Sequence, residues 1–152
     1  METPIVEITP ASPDQEWIIK RLLADNDLPS QDVSCHLEHF HVAVIRGEVV
    51  GAVGAELHGP VALLRSLVVS EPFRRQGVAR QLYDCMESYT RARGVSALYL
   101  LTMSAAGFFR KIGFSEIGRE TVPDKLKETQ EFAVFCPSSA TCMVKRLGQG
   151  KS

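Results

Sequence analysis

The stretch from Val61 to Thr102 constrains the fold more than any other part of this chain. Val61-Ala-Leu-Leu and Leu67-Val-Val are near-continuous apolar runs, the pattern of a strand buried on both faces. Ser70-Glu-Pro-Phe-Arg-Arg-Gln-Gly then turns the chain. From about Val78 to Arg93, Val78, Leu82, Cys85, Met86 and Tyr89 share one helical stripe, while Arg80, Gln81, Asp84, Glu87 and Arg91 fall mostly elsewhere. Gly94 is a natural helix stop, and Ala97 to Thr102 is another buried strand. A strand, a helix and a returning strand in this order form a right-handed parallel crossover. The chain is therefore of the α/β class.

Shorter elements surround that unit. Pro4 to Thr9 alternates apolar and polar residues, as a strand does. Ser12-Pro13-Asp14-Gln15 reads as a capping box with Pro at the first helical position. Trp17, Ile18, Ile19, Leu22 and Leu23 give the following helix its apolar face; it ends near Asp25, before a polar loop from Asp27 to Ser34. His39 to Ile45 and Glu48 to Leu57 are β-rich and flank Arg46-Gly47, a tight hairpin turn. His58-Gly59-Pro60 is a second turn, which makes the next strand the third of an antiparallel meander. Ala105 to Ile112 reads as a short helix stopped by Gly113, Phe114 to Arg119 as a strand, and Thr121-Val-Pro-Asp as a capped helix start. Thr141 to Leu147 is the last strand, and residues 148–152 form a frayed tail. The expected architecture is one domain over residues 1–147, a mixed, mostly antiparallel sheet with helices on both faces.

Bulk properties remove several function classes. At 152 residues the chain can bury a core without disulfide or metal support. With 45% hydrophobic residues, 23% charged residues and a formal net charge of -1, it is neither disordered nor basic enough for a nucleic-acid protein. The N-terminal residues lack the charged and apolar regions of a secretory signal, and no apolar run is long enough to span a membrane. Cys35, Cys85, Cys136 and Cys142 have no CxxC spacing, so reduced thiols and a cytoplasmic location are expected.

The chemistry concentrates where the buried strand ends and a helix starts at a glycine. Helix N-termini leave backbone N–H groups unpaired and carry partial positive charge, which suits phosphate oxygens. Gly77 lets the backbone approach a ligand closely, and Arg74, Arg75 and Arg80 add cationic charge there. An ordinary strand–turn–helix with solvated arginines has the same sequence pattern. A dinucleotide fingerprint or P-loop is a poor fit, since the turn has one glycine and no Gly-Lys-Ser/Thr.

Arg74-x-x-Gly77-x-Ala79 after Leu67-Val-Val resembles the R/Q-x-x-G-x-G/A pyrophosphate motif of GNAT-superfamily N-acetyltransferases. Ala105-Ala-Gly-Phe-Phe-Arg-Lys-Ile-Gly-Phe114 resembles the family's second marker. A narrower likeness, through Leu63-Leu-Arg-Ser-Leu-Val-Val, Tyr99-Leu-Leu-Thr, Phe108-Phe and Phe132-Ala-x-x-Cys-Pro-x-x-Ala-x-Cys-Met143, is to small N-acetyltransferases encoded with arsenic-resistance genes. The resemblance implies an acetyl-CoA co-substrate and a small, amino-acid-like primary amine as acceptor, without nucleic-acid or membrane partners. A homodimer is also expected from it. It implies that amides of Leu67, Val68 and Val69 pair with the pantetheine arm, and that Arg75, Gln76, Gly77, Val78 and Ala79 cradle the pyrophosphate with Arg74 and Arg80 beside them. Thr102 stands where many relatives place a cofactor-contacting Asn, and Phe108 joins the same cofactor contacts. Where many relatives carry a tyrosine that protonates the departing thiolate, this chain has Phe109.

A general base is less plain. The Glu that some relatives use corresponds to Leu63, which leaves Glu56 as the leading candidate, either as a base or as a solvated carboxylate at a strand end. Arg65 can grip a substrate carboxylate as a bidentate fork or form a structural ion pair, and Ser66 is the other polar residue on that strand. Cys35, His36, His39 and His41 invite a zinc reading, but the spacing is unfamiliar and no metal is expected. Two rival functions use other features: a non-catalytic acyl-CoA sensor that lost its acid at Phe109, and a metalloid binder using Cys136 and Cys142, which otherwise read as buried thiols.

Overall fold

The computed structural model describes residues 5–129 and 139–148. Seven strands form one sheet in the order β1-β2-β3-β4-β5-β7-β6: β1 (Val6–Pro10), β2 (Phe40–Ile45), β3 (Glu48–His58), β4 (Val61–Val69), β5 (Ala97–Thr102), β6 (Ser115–Ile117) and β7 (Thr141–Arg146). The helices are α1 (Glu16–Asp25), α2 (Val33–His36), α3 (Val78–Ala92), α4 (Ala106–Lys111) and α5 (Asp124–Lys127). The expected crossover is present: Val61, Ala62 and Leu63 of β4 lie parallel to Ala97, Leu98 and Tyr99 of β5. The β1–β2, β2–β3, β5–β7 and β6–β7 ladders are antiparallel. Among the described residues no helix is long and apolar enough to cross a membrane.

The chain divides into two compact units, residues 1–55 with 66–89, and residues 56–65 with 90–152. In the first, α1 begins after a 3-10 turn at Pro13–Gln15, and the Ser12 N–H donates to Gln15 Oε1 at 2.9 Å, one half of the expected capping box. Ile19, Leu22 and Leu23 of α1 pack with Val33, Phe40, Val42, Ala52 and Val68. Each such fully buried aliphatic side chain contributes about 1.5–3 kcal/mol.

Two readings of this region need correction. Trp17 is 64% exposed, because it sits two residues, or about 200°, from Ile19 around the helix. The polar loop expected up to Ser34 is interrupted by α2, followed by a 3-10 turn at Leu37–His39. No side-chain cap marks that helix; burial of Val33 in the core holds it.

Arg46 and Gly47 have φ of 52° and 81°, as a two-residue hairpin with a primed turn requires. Behind that hairpin, Gly54 faces Phe40 across the β2–β3 ladder, and a Cβ there would fall 2.5 Å from ring atoms of a residue with no exposed surface. Gly54→Ala is therefore expected to cost about 1–3 kcal/mol through overpacking. Urea unfolding should show a lower midpoint with an unchanged slope.

In the second unit, Leu63, Ala97, Tyr99, Val122, Leu126 and Cys142 form the core cluster. α3 ends as expected: Gly94 has φ 89°, its N–H donates to Arg91, and the Val95 N–H reaches back to Thr90 at 3.1 Å. Gly113, at φ 109°, stops α4 in the same way. The helix expected to open at Thr121 starts instead at Asp124, with Pro123 as its cap, because Arg119–Thr121 closes a separate 3-10 turn.

Candidate functional site

In the first unit, β4 delivers Leu67, Val68 and Val69 to the turn, with Val68 and Val69 buried and Leu67 half-buried. The Ser70 N–H donates to Val50 at 2.7 Å, and a 3-10 turn at Glu71–Phe73 redirects the chain. Arg74 serves that turn internally: its Nε donates to the Val69 carbonyl at 2.9 Å, and its guanidinium also meets the Asn26 side chain. Arg75, with φ 65°, and Gly77, with φ 83°, both adopt left-handed conformations, and the segment from Arg74 to Gly77 is exposed. The Gln81 N–H bonds to the Gly77 carbonyl at 3.1 Å, so α3 begins here, and Val78, Ala79 and Arg80 supply its first-turn N–H groups. Arg80 pairs with Asp84 at 2.9 Å on the exposed helix face. Gln76 donates to the Pro72 carbonyl at 3.3 Å, bracing the loop.

These residues fit a diphosphate. A Cβ built at Gly77 meets nothing within 4 Å, so the glycine faces open space beside the helix N-terminus. Phosphate oxygens held there would meet first-turn N–H donors and the positive helix end. Of the three arginines, Arg74 is the one tied to the turn's own carbonyl, a structural role the spacing did not suggest.

One departure from regular strand geometry went unread in the sequence. Ser66, inside β4, has φ 62°, a conformation that costs a residue with a Cβ about 1–2 kcal/mol. Such strain is retained where the surrounding structure or function requires it. The only sequence signal was the polar Arg65-Ser66 pair breaking an apolar run.

In the second unit, Arg65 and Glu56 form a buried ion pair: Arg65 Nη1 donates to Glu56 Oε2 at 2.8 Å, with side-chain exposures of 0% and 4%. Arg65 is thus engaged by protein, in the ion-pair alternative of the two weighed for it. His58, read in the sequence as part of a turn, places Nε2 3.9 Å from Glu56 Oε1. Its signal was the two-residue spacing from Glu56, which puts both on one face of a strand. Thr102 is half-buried, and its Oγ1 accepts the Ala105 N–H at 2.9 Å at the start of α4. Phe108 is half-buried and packs edge-on against Phe109, while Phe109 is buried against Phe114.

The remaining tyrosines and thiols have defined surroundings. Tyr83 is buried and donates to Glu87 Oε1 at 2.6 Å; burial first, then that hydrogen bond, raises its pKa well above the usual phenol range. His39 Nδ1 lies 2.6 Å from the Tyr89 hydroxyl, and the His41 ring meets Tyr89 edge-on. Cys35 is exposed on α2, and His36 lies 3.5 Å from Asp32. Cys136 lies outside the described residues, so its pairing with Cys142 has no structural reading.

Burial pushes the Cys142 thiol up to about 11, against an opposing effect of Arg119. A pKa raised on folding contributes stability that is complete below the unfolded value and is lost as pH rises through the folded one. Reversible urea unfolding should therefore show stability falling between about pH 9 and 11, and Cys142→Ala should flatten that fall.

Comparison with known proteins bears on the turn and its setting. Residues 5–114 match the model of the acetyltransferase (GNAT) family. An uncharacterized N-acetyltransferase of Chlorobaculum tepidum is 33% identical over 117 residues, 74% of this chain and 73% of its own. An amino-acid acetyltransferase of Pseudomonas putida is 33% identical over 92 residues, 57% of this chain and 21% of that protein. N-acetylglutamate synthase from Neisseria gonorrhoeae, solved with coenzyme A and N-acetyl-glutamate, shares the fold at TM-score 0.84 and 17% identity. That likeness covers 97% of this chain but only 36% of the synthase. With the family match running from β1 through the Gly77 turn to the end of α4, the chain belongs to the GNAT family and is an acetyl-CoA-dependent N-acetyltransferase.

Proposed function

We propose that the protein acetylates the primary amine of a small, amino-acid-like acceptor, with Glu56 receiving the amine proton directly or through water. The pyrophosphate of acetyl-CoA sits on Arg75 to Ala79, and its pantetheine arm pairs with Leu67 to Val69. The buried Glu56–Arg65 pair carries this reading. Desolvating two charges costs several kcal/mol per ion, and such groups cluster where chemistry uses them. The Arg65 guanidinium, 2.8 Å from Oε2, orients the carboxylate, as a base must be oriented before it can take a proton. The names of two relatives, an amino-acid acetyltransferase and an N-acetylglutamate synthase, support an acceptor of this class. The narrower likeness to acetyltransferases encoded with arsenic-resistance genes adds arsenic-containing amino-acid analogues to the acceptors worth offering.

The test is thiol release from acetyl-CoA over a panel of free amino acids, their decarboxylated amines, short peptides and an arsenic-containing amino-acid analogue. Free amino acids or that analogue should be turned over at least tenfold better, as kcat/KM, than the decarboxylated amines. Preference for peptides, or no turnover of any amine, would refute the acceptor class.

A further inference from the structure

We propose that His58 is the proton exit of the reaction, taking from Glu56 the proton that leaves the acceptor amine and passing it to solvent. The inference rests on the reading of Glu56 as base and extends it to a residue that reading does not use.

Glu56 is 4% exposed and is gripped on Oε2 by Arg65 Nη1 at 2.8 Å. A carboxylate so enclosed can accept a proton once, but repeated turnover needs a group that carries the proton away. His58 follows two residues later on β3, so both side chains leave the same face of the strand. Its Nε2 lies 3.9 Å from Glu56 Oε1, the oxygen other than the one Arg65 binds at 2.8 Å. That nitrogen is buried and has no hydrogen-bond partner among the described residues, although the side chain as a whole is 31% exposed. The imidazole thus has a dry inner nitrogen beside the carboxylate and an outer edge at the surface. A buried ring nitrogen without a partner costs about 1–3 kcal/mol, so its persistence asks for an explanation. A modest side-chain rotation or one bridging water closes the gap to hydrogen-bond length.

The steps balance. The amine nitrogen attacks the thioester carbonyl, the N–C bond forms, the C–S bond breaks and coenzyme A leaves as thiolate. The nitrogen's proton passes to Glu56, then from Oε1 to Nε2 of the Nδ1–H tautomer of His58; the imidazolium releases its Nδ1 proton to water, and exchange with water restores the Nδ1–H tautomer before the next turnover. The thiolate takes its proton from solvent. Arg65 keeps its charge throughout, and the transfer to His58 returns Glu56 to the carboxylate. His58 acts through Glu56 and does not touch the reacting atoms.

The experiment measures turnover of acetyl-CoA with the amino acid that the wild-type protein acetylates fastest, in dilute buffer of low proton-accepting capacity. His58→Gln should lower kcat by about 10–100-fold there, below the 10²–10⁴-fold typical of losing a general base outright. Its KM for acetyl-CoA should stay unchanged. Added imidazole should restore much of the lost rate to His58→Gln and leave wild type unaffected, a response that a merely structural role would not give. Wild-type kcat in His58→Gln, or a loss that imidazole does not relieve at any concentration, overturns the proposal. Glu56→Gln separates this from the underlying reading. If the folded variant keeps wild-type turnover, the base assignment falls and the relay with it. If it loses turnover while His58→Gln does not, the relay alone falls. Should Glu56→Gln fail to fold, Glu56→Asp replaces it: the shorter carboxylate should lower kcat, and an unchanged kcat overturns the base reading.

Discussion

Gly77→Val is expected to remove most acetyl-CoA binding while the protein stays folded. The residue has φ 83°, so any side chain there is strained, by about 1–2 kcal/mol for a left-handed conformation. That cost falls on an exposed turn, where a Cβ meets nothing within 4 Å, so no packing clash is added in the free protein. Gly77 directly precedes α3, whose first-turn N–H groups would hold the pyrophosphate, so a branched side chain there crowds the approach of the ligand. A charge-assisted hydrogen bond is worth about 1.5–3 kcal/mol, so displacing the pyrophosphate from even two donors should weaken binding more than 100-fold. Gly77→Asn separates strain from bulk, since asparagine tolerates the left-handed region better than valine. Titration calorimetry should rank affinity as wild type, then Asn, then Val. Unchanged affinity in a natively folded Gly77→Val would refute the assignment of the turn.

Arg65→Met should be the most destabilising single change at the site. It leaves Glu56, 4% exposed, without the guanidinium that holds it at 2.8 Å. Breaking a buried pair by removing one partner costs about 3–5 kcal/mol, because an uncompensated charge stays buried. At about 2–4 °C per kcal/mol for a chain of this size, the thermal midpoint should fall by about 6–20 °C. Replacing both Glu56 and Arg65 by Met should recover most of that loss, since buried pairs exchanged for apolar residues are often neutral. With Glu56→Met as the other single variant, the four proteins make a double-mutant cycle, and a coupling below about 0.5 kcal/mol would show the two charges to be energetically independent.

Much of the framework was legible in the residues because the relevant signals are local. The two buried runs and the amphipathic stripe between them require a parallel crossover, and β4, α3 and β5 supply it. Arg46-Gly47, Gly94 and Gly113 stop or reverse the chain where their positive φ values permit it. The glycine turn between β4 and α3 was legible for the same reason, since Gly77 at φ 83° opens the helix after a buried strand.

The features that escaped are decided by partners distant in the chain or by strain imposed from outside. α2 has no cap to announce it and exists because Val33 is buried in the core. Ser66 adopts a left-handed conformation that its residue type does not favour, so no propensity could mark it. Arg74 looked like a phosphate cation, yet its Nε bonds a carbonyl five residues back. Glu56 read as a base or a solvated carboxylate and Arg65 as a substrate-binding fork or an ion-pair partner, and only the fold brings Nη1 within 2.8 Å of Oε2. The sequence by itself determined the strand–helix–strand unit and the glycine turn that opens α3, because periodicity and glycine freedom act over neighbouring residues. Tertiary structure decided which charges pair, because Glu56 on β3 meets Arg65 only when β4 folds beside it.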